Sequence, residues 1–519
     1  VRFQSLKELV ETAGREKAER IFLVAPESET TLSFAQYDRA VGNLGMELKA
    51  ASLQKGDKVA ILLSNGLNAA VVILAVMSLG AVAVPLNPKL KPGELRYLLE
   101  HVDARYIVTT PELEDLSTVF EWEVRRLENT YEPAKRLILI AKTVSRFPAE
   151  KGGGEQDFEP LLDDVALILY TSGTTGQPKG VVLTHGNLLA NADYVQQAHS
   201  LTSHDVALCV LPFFHINGFV VTLITPLAAG MTVIVPEKFS AQNFWKWIQS
   251  YRVSWFSAVP TILSILLSRS APDSASISSL RFARSASMSL PVAVLREFEA
   301  RFGVPVIESY GISEAGGQVT ANPLPPAKRK PGSVGLPVGN QLRVIDDNGD
   351  PVPAGVSGEV VIRGRNVFQG YFHNLEASRQ AFRNDWFLTG DLGFLDDEGY
   401  LFLTGRKKEL INRAGEKISP REIEEVLYGL PEVETAGVTG VPDALFGEEI
   451  VAFLTLRPGR KLAAERVIAY CREYLAEFKI PRQVFFIGEF PRGPSGKIQR
   501  LKLVDVFYQI TQGGQQEAK

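Results

Sequence analysis

The fold turns on one stretch, Asn68-Ala69-Ala70-Val71-Val72-Ile73-Leu74-Ala75-Val76-Met77-Ser78-Leu79-Gly80-Ala81-Val82-Ala83-Val84-Pro85. Taken whole, it is an apolar run close to the ~20 residues that span a bilayer as a helix. Its punctuation says otherwise. Ser78 and Gly80 interrupt it and Pro85 ends it. We therefore expect a buried helix over about Asn68–Leu79, a turn at Gly80 and a strand over Ala81–Val84. Gly218 to Pro236 repeats the order, with a helix around Leu223–Ala228, Gly230, a strand over Thr232–Val235 and Pro236. Two helix–glycine–strand–proline units predict two related α/β layers rather than a membrane span.

Short Val/Ile-rich runs alternate with helical patterns over the first four hundred or so residues. They include Val59–Leu63, Tyr106–Val108, Leu137–Ile140 and Val304–Ile307. That alternation predicts mostly parallel sheets with helices on both faces. Ala149 to Asp157 is Gly-rich and polar, an exposed link. From about Gly335 the pattern changes to short strands and turns such as Asp347-Asn348-Gly349-Asp350 and Asp396-Asp397-Glu398-Gly399. This reads as a smaller β-rich subdomain. Ser419-Pro420-Arg421-Glu422 is a helix start, with Ser as cap, Pro at the first position and Glu at the third. Strands near Thr435–Val441, Ile450–Leu456 and Val484–Ile487, with a helix around Ala464–Leu475, complete a small α+β unit. The charged stretch Gly405-Arg406-Lys407-Lys408-Glu409 reads as the joint between large and small units.

The chain has 519 residues, too many for one simple core. With 45% hydrophobic and 22% charged residues, disordered, collagenous and coiled-coil chains are excluded. A net charge of −4 gives no case for nucleic acid or an acidic membrane as partner. The two cysteines, Cys209 and Cys471, make no disulfide framework and fit a reducing cytoplasm. The opening residues, with Leu6, Leu9 and Val10 among charges, read as an amphipathic surface helix and not as a signal peptide.

The strongest local signal is Thr171-Ser172-Gly173-Thr174-Thr175-Gly176-Gln177-Pro178-Lys179-Gly180, between strands Ala166–Tyr170 and Val181–Leu183. Its glycines open the backbone so that N–H groups face an anion, its hydroxyls add donors, and Lys179 adds positive charge. This is a phosphate cradle. It is not the usual P-loop, because the GxxxxGK[ST] spacing is missing and no helix directly follows the lysine.

With that loop, four further motifs resemble the adenylate-forming superfamily of acyl-CoA synthetases, peptide-synthetase adenylation domains and beetle luciferases. The resemblance covers nearly the whole chain. Glu308-Ser309-Tyr310-Gly311-Ile312-Ser313-Glu314 is similar to the family's adenine and magnesium segment, with Glu314 as the Mg²⁺ ligand. Thr389-Gly390-Asp391 is similar to its ribose-binding aspartate. Gly405–Ile411 resembles its hinge, with Lys408 at the hinge position and Arg406 near ribose and phosphate. Pro494-Ser495-Gly496-Lys497-Ile498 resembles its catalytic-lysine loop. Taken singly, most of these residues would be ordinary turns, helix starts or core positions; their order makes them specific.

The resemblance implies an α/β chain. Residues 1–406 form a large N-terminal domain of two doubly wound α/β subdomains plus a small β-rich subdomain. Residues 407–519 form a small, mobile α+β C-terminal domain. It implies an acid–thiol ligase using ATP, Mg²⁺ and coenzyme A. A carboxylate attacks the α-phosphorus of ATP to give acyl-AMP and pyrophosphate, and a thiol then displaces AMP. Two anions must approach each other in the first step, so Lys497 would supply local positive charge. Rotation about Lys408 would then bring Arg413 and Gly415 to the thiol channel.

Phe213-Phe214-His215 carries no acid to pair with an α-ammonium, which argues against amino-acid substrates. His215 would lie between acyl pocket and thiol channel. The run Phe282–Leu290 resembles the oxalyl-CoA and malonyl-CoA synthetase branch most. Arg281 and Arg284 are candidates for a second carboxylate on the acid, with Ser287 and Ser289 favouring a short polar substrate. Gly316 and Gly317 are expected to open the pocket floor. Acceptors other than CoA include a carrier-protein thiol. A nucleotide-binding protein without activity is disfavoured because Lys497, Glu314 and Lys408 are all present. Oligomeric state is not legible.

Overall fold

The computed structural model describes residues 2–117, 122–128, 131, 136–142, 159–171, 178–492 and 498–513. The link expected over Ala149–Asp157 lies outside the described residues.

Among these, two large sheets carry the first part of the chain. A nine-stranded sheet has the parallel centre Ile21–Ala25, Thr232–Ile234, Val206–Cys209, Trp255–Ala258, Phe282–Ser285 and Val306–Ile312. Antiparallel strands close both of its edges. An eight-stranded sheet has the parallel centre Tyr106–Thr109, Lys58–Ile61, Val82–Pro85 and Val165–Thr171, again with antiparallel edges. The two repeated units of the sequence thus fall one in each sheet. The run Leu137–Ala141, expected among the parallel strands, pairs antiparallel.

Period-two alternation assigns each strand residue to a layer. Val59 and Ile61 face a core shared by both sheets, and Ala60 faces an outer one. Ala207 faces the shared core, and Leu208 the outer layer of the other sheet. The helix Leu67–Ser78 lies in the shared core, touching strands of both sheets. All its residues from Leu67 to Met77 are buried, which explains why it is apolar on every side. Cutting back one such side chain, as in Leu74→Ala, costs about 2–5 kcal/mol.

The second unit departs from expectation. Helical structure begins at Asn217, as a π-helix over Asn217–Ile224, before the α-helix Thr225–Ala229. Gly218 permits this start, because a Cβ there would lie 2.2 Å from the Pro212 carbonyl oxygen.

A five-stranded antiparallel sheet follows, ending in Leu401–Arg406. One 3₁₀ turn, Lys407–Glu409, leads to a last five-stranded sheet with its own core around Ile423, Val438 and Ala452. The helix Pro420–Leu427 starts where the sequence places it. However, Ser419 does not cap it through its side chain. Its hydroxyl instead donates to the Thr404 carbonyl, tying the helix start to the joint.

Candidate active site

Loops after the strands Val206–Cys209, Trp255–Ala258 and Phe282–Ser285 supply Val210, Val259 and Ser287 to a cavity of about 1040 Å³. This is the carboxyl end of the parallel strands, where open α/β sheets bind ligands. A smaller cavity of about 260 Å³ adjoins it, and Ser287, Gly311 and Arg406 line both.

Thr171 and Lys179 line the larger cavity and face each other in antiparallel register. Ser172, Gly173, Thr174, Thr175 and Gly176 lie outside the described residues. The Lys179 ammonium stands 4.8 Å from the centre of the Tyr371 ring, and the Tyr371 hydroxyl donates to Glu314 Oε1 at 3.0 Å. Burial, with Glu314 alongside, drives the Tyr371 phenol pKa up, so it stays a donor. Ser313 and Glu314 both line this cavity. One hydrogen bond leaves Glu314 ample acceptor capacity.

Tyr310 is buried, and its hydroxyl donates to Asp391 Oδ2 at 2.6 Å. Asp391 Oδ1 receives Arg406 Nε at 2.8 Å. These three residues form a chain from strand Val306–Ile312 to the joint, along the wall of the smaller cavity. Ser309 and Ser289 line the same cavity, and the Ser309 hydroxyl is buried without a partner among the described residues. A Cβ at Gly311 would sit 2.1 Å from the Gly317 carbonyl oxygen, so only glycine lets these strands meet.

Glu308 lies behind the wall. Oε1 accepts the Leu290 N–H at 3.2 Å, and Oε2 has no partner among the described residues. Burial pushes its carboxyl up to about 7, with Arg421 opposing. A raised carboxyl keeps its proton when folded, so stability falls as pH rises from about 4.5 through about 7. Glu308→Gln is therefore expected to raise Tm at pH 8 and to lose that advantage at pH 5. A gain that is equal at both values contradicts this.

His215 and Lys408 line the larger cavity. Ile498 and Arg500 line the smaller one, whereas Lys497 lies outside the described residues. Arg413 and Gly415 line neither cavity. Arg413 pairs with Glu449 at 2.7 Å. Gly316 and Gly317 do not form a pocket floor. Neither lines a cavity, and a Cβ at Gly317 would lie 2.7 Å from Asn191 Oδ1.

The two arginines separate cleanly. Arg281 pairs with Asp205 at 2.6 Å, which removes it from the acid pocket. Arg284 is 1% exposed and has no carboxylate partner among the described residues. It donates to Asn217 Oδ1 at 3.1 Å, Ser257 Oγ at 3.0 Å and Gln318 Oε1 at 3.3 Å, and its Nε has no partner. Burial lowers it to about 9, so the guanidinium stays charged at neutral pH. Asn217 and Tyr371 were not singled out from sequence. Asn217 falls between His215 and Gly218, and Tyr371 reaches Glu314 only because its strand pairs with Lys179–Thr184.

A double cavity at the strand ends, with a small C-terminal unit closing one side, has the layout of a two-domain enzyme. The chain belongs to the AMP-binding enzyme family, whose model matches residues 10–372, while the AMP-binding enzyme C-terminal domain matches residues 422–497. It is 40% identical over 504 residues to sulfoacetate–CoA ligase of Cupriavidus necator, covering 97% of this chain and 98% of that one. It is 34% identical over 524 residues to oxalate–CoA ligase of Saccharomyces cerevisiae, covering 94% and 95%. ATP-bound MatB from Rhodopseudomonas palustris superposes with a TM-score of 0.87 at 30% identity, covering 98% and 99%. These relatives match the oxalyl-CoA and malonyl-CoA synthetase-like branch. The chain is an ATP-dependent, AMP-forming acyl-CoA synthetase that uses ATP, Mg²⁺ and CoA with a small carboxylic acid. Among the described residues, no helix is long and apolar enough to cross a membrane.

Proposed function

We propose that the acid is short and carries a second anionic group, and that CoA is the thiol. The observation that carries this is Arg284, a buried charge beneath the larger cavity without a counter-ion among the described residues. The names of the two ligases above support it, since sulfoacetate and oxalate each carry a second acidic group.

The roles proposed for the site residues extend this reading. Thr171, Lys179 and the loop 172–176 hold the phosphates. Glu314 fits a hard cation held mainly by phosphate oxygens, and that ion would neutralise phosphate charge. Ser309, Tyr310, Gly311, Asp391 and Arg406 form the adenosine wall, with Glu308 behind it and Ser313 on the phosphate side. Ser287 and Ser289 stand where that wall meets the acyl pocket. His215 sits on the acyl side, Lys497 would supply positive charge to the reacting oxygens, and Lys408 lies at the turning point. Gly316 and Gly317 pack against Asn191 rather than lining either cavity. We place the domain boundary between Arg406 and Lys407, where one sheet ends and an independent core begins. Rotation there would carry Arg413 and Gly415 to the thiol. A cytoplasmic setting fits two buried, free cysteines.

Pyrophosphate release should depend on acid, ATP and Mg²⁺, and CoA should stimulate it and yield a CoA ester by mass. The acids tested run from oxalate, malonate and sulfoacetate to propionate, aryl acids and medium chains. Acid-dependent pyrophosphate without any CoA ester would assign a carrier-protein thiol instead. Silence with every acid, ATP still bound, overturns the substrate reading.

A further inference from the structure

We propose that Asn217 is the residue that meets the distal end of the acid, and that Arg284 lends its charge to that contact through the Asn217 amide. The inference rests on the reading of the substrate given above. It adds a residue that no motif supplied.

Asn217 opens the π-helix Asn217–Ile224, is 5% exposed and lines the larger cavity. Arg284 does not line that cavity; Asn217 stands between them. A π-helix turn at such a place is a frequent mark of a functional site. The orientation of the amide is dictated by its neighbours. Asn217 Oδ1 takes Arg284 Nη1 at 3.1 Å and the Ser257 hydroxyl at 2.9 Å. A guanidinium has only donors, so the amide oxygen must face it and the NH₂ must point away. One amide hydrogen goes to Ser287 Oγ at 3.2 Å. The other has no protein partner among the described residues.

Ser287 holds φ at +72°, a left-handed conformation that costs about 1–3 kcal/mol outside glycine. It lines both cavities and marks where acid and nucleotide meet. Behind Arg284, Gln318 Oε1 accepts both Arg284 Nη2 and His199 Nε2, the latter at 3.1 Å, and all three residues are buried. Every described partner of Arg284 is therefore neutral. Its charge polarises the Asn217 amide and is left for an anion on the cavity side. A distal carboxylate or sulfonate on a short chain answers that field. A methyl group at the same place would leave the amide donor without an acceptor.

The test compares kcat/KM for malonate and sulfoacetate with that for propionate, in wild type, Asn217→Asp and Gln318→Glu. A hydrogen bond to a charged group is worth roughly 10- to 100-fold, so wild type should favour the charged tails by about that ratio. Asn217→Asp keeps the shape and sets a carboxylate against Arg284. It should bring the ratio close to one while raising Tm. Gln318→Glu neutralises Arg284 from the side away from the cavity and should lower the ratio without altering any cavity-lining group. A ratio unchanged in either folded variant overturns the proposal, as does a wild type that shows no preference while releasing pyrophosphate with these acids. No pyrophosphate with any acid overturns the substrate reading as well.

Discussion

Lys497→Ala should lower acyl-adenylate formation by about 10²–10³-fold, the usual effect of deleting one charge-stabilising donor at a reacting centre. ATP should still bind with nearly wild-type affinity, because the proposed phosphate and adenosine contacts lie on other segments. The two reactants are a carboxylate and a phosphate, both negative, and a new oxygen–phosphorus bond forms between them as pyrophosphate leaves. Positive charge is most needed at that moment and least needed when acyl-AMP already exists. The variant should therefore convert supplied acyl-AMP and CoA to thioester and AMP at close to the normal rate. Ile498, the next residue, lines the smaller cavity beside Tyr310 and Arg406, which supports the lysine loop working at that wall. ATP–pyrophosphate exchange, nucleotide titration and the thioester half-reaction measure the three quantities separately. Equal losses in both half-reactions would mean a structural defect instead.

Asp391→Ala should raise KM for ATP by about 100-fold or more. The buried carboxylate holds the Tyr310 hydroxyl and the Arg406 guanidinium, each through a charge-assisted bond worth about 1.5–3 kcal/mol. Its loss frees both walls of the smaller cavity and removes the acceptor proposed for the nucleotide sugar. Tyr310→Phe takes away only one of the two bonds, and its effect on KM should be nearer tenfold. Initial rates against ATP at saturating acid decide the matter. An unchanged KM in Asp391→Ala would move the nucleotide elsewhere.

Much of this was legible in the sequence because local patterns carried it. Glycine and proline cut the run from Asn68 to Pro85 into a helix and a strand, and the fold keeps that division at Leu67–Ser78 and Val82–Pro85. The larger sheets, the hairpins after Gly335 and the helix at Pro420 were set by equally local signals. What escaped was long-range. The antiparallel pairing of Leu137–Ala141 looks in sequence like any parallel strand. The contact of Tyr371 with Glu314 depends on which edge accepts a two-residue strand. Gly316 and Gly317 looked like pocket glycines, yet they line neither cavity and stand against Asn191. Two arginines three residues apart had equal claims until their partners were known, and the partners come from strands distant in the chain.

The helix Leu67–Ser78 has a practical consequence for anyone wishing to take the molecule apart. It has no outward side, and the two sheets that cover it share a single interior. A fragment ending between them would present a bare oily rod to water and should be recovered only as aggregate. The two subdomains visible in the topology are thus halves of one folding unit, neither able to stand alone. Grafting a new acid specificity should succeed by point changes around Asn217 and Ser287, whereas deleting either subdomain should yield insoluble protein.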